Sequence, residues 1–240
     1  MFQIGSRVGA IVMPEGFEAS IPERNSNTSL DGGGSDSTTL NLERIMDCVL
    51  ACLLLVFLAP LLAVIALAIK LQDGGPILFG HSRIGRNGRT FRCMKFRSMV
   101  MDAEARLEAL LAADPVARAE WELDHKLRRD PRITWLGAFL RKSSLDELPQ
   151  LLNVISGQMS LVGPRPIVQA EVKRYGRRFD AYCRVRPGIT GLWQVGGRND
   201  VSYRRRIAYD VLFVRMRSPR LYLSILVRTV PAVLMRSGSY

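Results

Sequence analysis

The stretch RKSSLDELPQ, residues 141–150, sets two adjacent carboxylates, Asp146 and Glu147, directly after the cations Arg141 and Lys142 and two serines. Paired carboxylates suit proton transfer, metal binding or nucleophilic attack. Neighbouring cations lower a carboxylate's pKa, which makes a proton reservoir the poorest fit of the three. An ionised nucleophile for phosphorus, or a hard oxygen ligand for Mg2+ beside a phosphate, fits better. Lys95, Arg97 and Arg165 come from loops able to converge on the pair and hold anionic substrates. A structural reading stands beside the chemical one. Ser144 and Glu147 have the spacing of a capping box, acids are ordinary in a first helical turn, and Pro149 needs that turn. The two readings are compatible, and local physics does not choose between them.

The rest of the chain must position these residues, and its charge is strongly uneven. Thirty-four Lys and Arg face 22 Asp and Glu, a net charge of +12 over 240 residues. Residues 1–43 run the other way, with Arg7 and Arg24 against six acids, so the cationic excess belongs to 44–240. Such an excess suits nucleic acid, anionic lipid or phosphorylated substrates. The leader, 1–43, includes NSNTSLDGGGSDSTT and has too little apolar content to form a core, so it is expected to be disordered. Cys48, Cys52, Cys93 and Cys183 show no CxxC spacing and His81 and His125 stand apart from them, which favours free thiols over disulfides or zinc.

Residues 45–69, IMDCVLACLLLVFLAPLLAVIALAI, are apolar apart from Asp47 and exceed the roughly 20 residues that a spanning helix needs. Pro60 deletes one helical hydrogen bond, so a kink or break is expected there, giving either a bent span or a hairpin. Lys70, Arg83, Arg86, Arg89 and Arg92 place the downstream side in the cytoplasm. Beyond it, 77–99 reads as a hairpin turning at Asn87-Gly88, and 102–129 as helix broken near Asp114-Pro115. Short helices follow over 130–144 and 148–155, then Gly- and Pro-rich loops at 161–166 and 185–200. The tail, 203–236, is a basic amphipathic pattern of the kind that lies in a membrane interface.

Three segments, KFRSM (95–99), LRKSSLDELPQLLNVISGQMSLVGPRP (140–166) and RPGITGLWQVGGRND (186–200), closely resemble the bacterial sugar transferases, the monotopic phosphoglycosyl transferases. The resemblance runs from about Arg44 to the C-terminus. It is greatest to the short exopolysaccharide-initiating galactose-1-phosphate transferases, including the RSGSY ending and the lack of the extra N-terminal regions of long members. It implies transfer of hexose 1-phosphate from a UDP-hexose to undecaprenyl phosphate, with release of UMP. Asp146 matches the nucleophile that forms a sugar-phosphoryl aspartate, and Glu147 the acid that binds Mg2+. Lys95 and Arg141 match phosphate-contacting cations; Arg97 lies in the first motif, and Arg165, Arg186 and Arg198 lie in matching loops. The family's membrane segment is a re-entrant helix broken at Ser-Pro, for which this chain has Ala59-Pro60.

The implied fold is α+β. A compact helix-rich catalytic domain (71–240) carries a small β-hairpin and C-terminal amphipathic helices, anchored by a re-entrant helix (44–70) broken at Pro60. The implied location is the cytoplasmic face of the inner membrane, with nucleic acid not a partner and a homodimer allowed. Two other classes remain as alternatives. One is a non-catalytic, membrane-tethered basic protein that binds anionic lipid or nucleic acid. The other is a glycosyltransferase forming a glycosidic bond, which would release UDP.

Overall fold

The computed structural model describes residues 35–124, 127–196 and 201–234. The expected leader up to residue 34, Arg198 with its loop 197–200, and the RSGSY end lie outside the described residues. The chain divides into two compact units. One comprises residues 1–57, 81–93 and 150–239, and the other 58–80 and 94–149. The architecture is helix-rich with two small sheets, as an α+β chain with a short hairpin requires.

Helix α1 spans Ser35–Asp73, so helical structure starts ahead of the expected boundary at Arg44. The early start has a physical cause in the first unit, where Glu43 is buried and its carboxylate takes the guanidinium of Arg217. Four residues on, Asp47 is 1% exposed and accepts from the Ser160 hydroxyl (3.0 Å), the Leu161 N–H (2.7 Å) and the Tyr222 hydroxyl (2.6 Å). Arg44, between them, donates to the carbonyls of Val154 (2.5 Å) and Ile155 (2.6 Å). Pro60 lies inside the helix without ending it, so of the two expected outcomes, kink or break, a break does not occur. Proline removes only its own N–H from the ladder, and residues on both sides keep theirs. Residues 41–73 are long and apolar enough to cross a membrane, and only 11% of their most apolar stretch is buried. A soluble core helix would be mostly covered.

Strands β1 (Leu78–Ile84) and β2 (Thr90–Phe96) pair as a hairpin through a tight turn at Arg86–Gly88. Asn87 and Gly88 both take positive φ, 59° and 70°, the conformation Asn-Gly supplies at least cost. The charged helical region divides as expected into α2 (Ala103–Ala113) and α3 (Pro115–Asp124), with Pro115 starting the second helix.

In the second unit α4 (Trp135–Ser143) opens on Thr134, whose hydroxyl accepts from the Gly137 N–H at 2.9 Å. Its inner side is close-fitting, since a Cβ at Gly137 would lie 2.0 Å from the Ser98 carbonyl oxygen. Leu140 of α4 packs with Phe96 of β2 and with Ile65 and Ile69 of α1.

The first unit holds α5 (Gln150–Ile155), β3 (Ser160–Val162), α6 (Val172–Tyr175), α7 (Phe179–Cys183), β4 (Gly188–Thr190) and α8 (Leu192–Gly196). It ends with α9 (Tyr203–Met216) and α10 (Pro219–Leu234). The segments read as Gly- and Pro-rich loops therefore contain strands: β3 and β4 pair in parallel, Ser160 with Gly188 and Val162 with Thr190. The glycines permit this approach, because a Cβ on Gly188 would sit 2.0 Å from the Gly163 nitrogen. Residues of α1, α5, β3, α8, α9 and α10 share one core, including Ala51, Leu151, Leu161, Trp193, Phe213 and Tyr222. Helix α9 is deeply packed, with Ile207, Tyr209, Val211 and Phe213 buried, so half of the expected interfacial tail is core. Helix α10 does keep an apolar outer stripe of Leu223, Val227 and Val230.

Candidate active site

The carboxylate pair lies in the second unit, between two helices. Helix α4 ends at Ser144, a non-glycine residue with φ 58°, whose N–H bonds back to the Arg141 carbonyl at 3.1 Å. Leu145–Glu147 then form a single 3-10 turn before α5 starts at Gln150. The pair is therefore not in the first turn of a long helix, and the Ser144 side chain caps nothing. That removes the capping-box reading. Glu147 turns its carboxylate to Lys95 instead, with Nζ donating to Oε1 at 2.6 Å.

Lys95 lies on strand β2 rather than in a loop, and its ammonium also stands 3.9 Å from Oδ2 of Asp146. A lysine reaching from a strand to both acids fixes the constellation from two elements distant in sequence. Arg141, in the last turn of α4, donates from Nε to the Ser98 hydroxyl at 2.8 Å. Ser98 was missed from sequence, although its place inside KFRSM beside Arg97 was the available signal.

Asp146 is 7% exposed. Its carboxyl is raised above the ordinary 3.8, first by burial and further by the Glu147 charge, with Lys95 and Arg141 pulling the other way. The expectation that surrounding cations lower this pKa is thus reversed, because burial outweighs them. Burial also lowers the Arg141 guanidinium from its usual range, opposed by Asp146 and Asp130; arginine stays charged regardless.

The remaining sequence candidates are distributed differently. Arg97 is buried and its guanidinium is engaged by the Asp73 carboxylate at the end of α1. Arg165 and Arg186 belong to the first unit. Arg165 is exposed and its charge acts on Asp210, a wholly enclosed acid of α9. Tyr175 donates to Asp210 at 2.7 Å, and burial pushes that carboxyl up to about 7. Arg186 is half-buried and donates from Nε to the Gly157 carbonyl at 2.9 Å. Burial lowers it, as do the nearby charges of Arg44, Arg86 and Arg217.

Mg2+ binds through one or two carboxylates and completes its shell with water and substrate phosphates. Asp146 and Glu147 supply such a donor set, all oxygen, with the Glu147 side chain 37% exposed and so open to hydrated metal. Among the described residues no group of three or more His, Cys, Asp or Glu gathers to form a protein-only metal cage. The pair fits a shared, substrate-completed ion.

Residues 38–236 match the family model described as bacterial sugar transferase. The chain is 51% identical over 199 residues to the undecaprenyl-phosphate galactose phosphotransferase of Salmonella typhimurium, covering 83% of this chain and 42% of that protein. It is 48% identical over 198 residues to the exopolysaccharide production protein ExoY of Sinorhizobium fredii, covering 82% and 88%. To the UDP-glucose:undecaprenyl-phosphate glucose-1-phosphate transferase of Caulobacter vibrioides it is 41% identical over 206 residues, covering 82% and 72%. With this match over most of its length, the chain belongs to the bacterial sugar transferase family.

Proposed function

We propose that the protein transfers hexose 1-phosphate, with galactose as the hexose, from a UDP-sugar to undecaprenyl phosphate as the first step of exopolysaccharide repeat-unit assembly. The observation that carries this reading is the buried Asp146 carboxylate, faced by the Lys95 ammonium and flanked by Glu147. An oxygen of Asp146 attacks the sugar-bearing phosphorus, and the bond from that phosphorus to the bridging oxygen breaks. UMP leaves with the bridging oxygen, and the sugar phosphate stays on Asp146 as an acyl phosphate. A phosphate oxygen of undecaprenyl phosphate then attacks the same phosphorus, forming the new diphosphate and returning Asp146 as a carboxylate. Lys95 offsets the charge that the anionic donor brings to an anionic nucleophile. Mg2+, held by Glu147 with Asp146 beside it, would neutralise diphosphate charge when bound.

The active site is proposed to work at the cytoplasmic face of the inner membrane, with α1 re-entering that face and bending at Pro60. Contacts at the start of α1 support this topology. Asp47 bonds Tyr222 and Ser160, residues that follow α1 in the chain. Had α1 crossed the bilayer, the chain would need a second crossing to bring them back. Among the described residues no other helix is long and apolar enough for that.

The test is nucleotide release by detergent-solubilised protein given undecaprenyl phosphate, Mg2+ and a panel of UDP-sugars. UMP from one sugar supports the reading, and UDP would mean a glycosidic-bond-forming enzyme. No nucleotide from folded protein would return the basic binding module. The same assay yields a pH test. Asp146 must be ionised to attack, so activity is lost as pH falls through its raised pKa, and the acid limb of kcat/KM lies above 3.8. Lys95 lowers that pKa, so Lys95→Met moves the limb to higher pH as well as slowing transfer. A limb that stays in place or moves down would contradict the assigned charge coupling.

A further inference from the structure

Segments of the second unit that are distant in sequence interlock around Arg141. Ser98 follows β2, and its carbonyl accepts from the Thr134 N–H at 3.2 Å. Next to it the Val100 N–H donates to the Arg132 carbonyl at 2.9 Å, and Met99 pairs with Ile133 in an antiparallel bridge. Gly137 of α4 lies so close to the Ser98 carbonyl that no side chain would fit between them. Ser98 is therefore pinned both to the chain leading into α4 and to α4 itself. At 8% exposure, it has little room to move.

The arginines of these segments are treated unequally. Arg97 is taken by the Asp73 carboxylate. Arg132 is taken by Asp130, donating from Nε at 2.8 Å and from a terminal nitrogen at 2.7 Å, and its guanidinium lies 5.0 Å from the Trp121 ring centroid. Arg141 forms no such ion pair among the described residues, and its Nε donates to the neutral Ser98 hydroxyl instead. The Asp130 charge also attracts Arg141, but Arg132 already occupies that carboxylate. Asp130 thus steadies Arg141 without capturing it. A bond at Nε fixes the plane of a guanidinium and leaves both terminal nitrogens for a ligand. Because the acceptor is a hydroxyl, the positive charge stays uncommitted. Arg141 is half-buried, and that charge reaches Asp146.

We propose that Ser98 is a positioning residue, whose hydroxyl holds the Arg141 guanidinium aimed at the phosphoryl group that reacts at Asp146. This rests on the transfer reaction read above. The two terminal nitrogens form a fork that matches two oxygens of one phosphate. Without the hydroxyl, a long side chain is free to leave that orientation. Fork contacts that tighten while the phosphoryl group passes to Asp146 act in the transition state, so their loss falls on kcat rather than KM.

The test is UMP release from UDP-galactose, with undecaprenyl phosphate and Mg2+, by the detergent-solubilised full chain. Wild type, Ser98→Ala, Arg141→Lys and the double variant are compared. Lysine keeps the charge of Arg141 but has no Nε–H for the hydroxyl to hold. Ser98→Ala is expected to lower kcat about 10–100-fold, with KM for UDP-galactose changed less than about threefold. In the Arg141→Lys background the same change should cost less than about twofold, because the hydroxyl has lost the group it acts on. An unchanged kcat in Ser98→Ala overturns the inference, as does a loss carried by KM alone. An equal loss in both backgrounds also overturns it, making the hydroxyl a support for the fold. Should the alanine variant fail to fold, Ser98→Cys, which keeps a side chain of similar size and weakens the acceptor, takes its place in the same cycle. Wild-type protein that releases no UMP overturns the transfer reading itself.

Discussion

Asp146→Asn is expected to lose at least ~10^3-fold in UMP release while becoming more resistant to thermal unfolding. The activity loss follows from removing a nucleophile, for which single substitutions cost orders of magnitude in kcat. The gain in stability follows from burial. The folded-state pKa of Asp146 is raised above its unfolded value near 3.8, so the folded protein holds this proton more tightly. Below 3.8 both states are protonated and the residue costs nothing. As pH rises through the folded pKa, the stability that the proton supplied is lost, and at neutral pH the full cost is present. Asparagine avoids that cost, so the variant's melting midpoint should exceed wild type at pH 7.5 and lose its advantage at pH 3.5. Activity without Asp146 would end its assignment as nucleophile. Lower stability at neutral pH would show that the carboxylate supports the fold instead.

The second large effect is on folding. Asp47→Ala should lower stability by about 3–5 kcal/mol, a large part of the 5–15 kcal/mol typical of a domain. Asp47 accepts from three donors in a place where none can turn to water. Each buried donor left unpaired costs about 1–3 kcal/mol before relaxation. Tyr222→Phe removes only one donor and leaves the acceptor two partners, so about 1 kcal/mol is expected. Denaturation midpoints in one detergent, compared across wild type and both variants, would check the ranking. Equal effects, or none from Asp47→Ala, would mean the acid is not the structural hub its bonds make it.

Legibility from sequence varied with the range over which each feature is determined. The Asn87-Gly88 hairpin, the division at Pro115 and the long apolar helix were all readable because a few adjacent residues decide them. The carboxylate pair stood out for the same reason. Its environment did not, since the 3-10 turn at Leu145–Glu147 and the enclosure of Asp146 arise from packing. Sequence alone therefore gave the wrong sign for its pKa. Arg97 looked like a substrate cation because Asp73, its partner, lies 24 residues away. Helix α9 looked interfacial because its arginines dominate the pattern, while Ile207, Val211 and Phe213 face inward. Asp47 was visible as a lone acid in an apolar run, but nothing local named Ser160 and Tyr222 as its partners.

That last contact spans 175 residues and has a consequence for how the protein is made. At about 5–20 residues per second, a ribosome needs roughly 10–35 seconds after Asp47 to add Tyr222. For most of that interval the apolar helix, which ends at Asp73, has its full length, while its acid still lacks the hydroxyl that completes its shell.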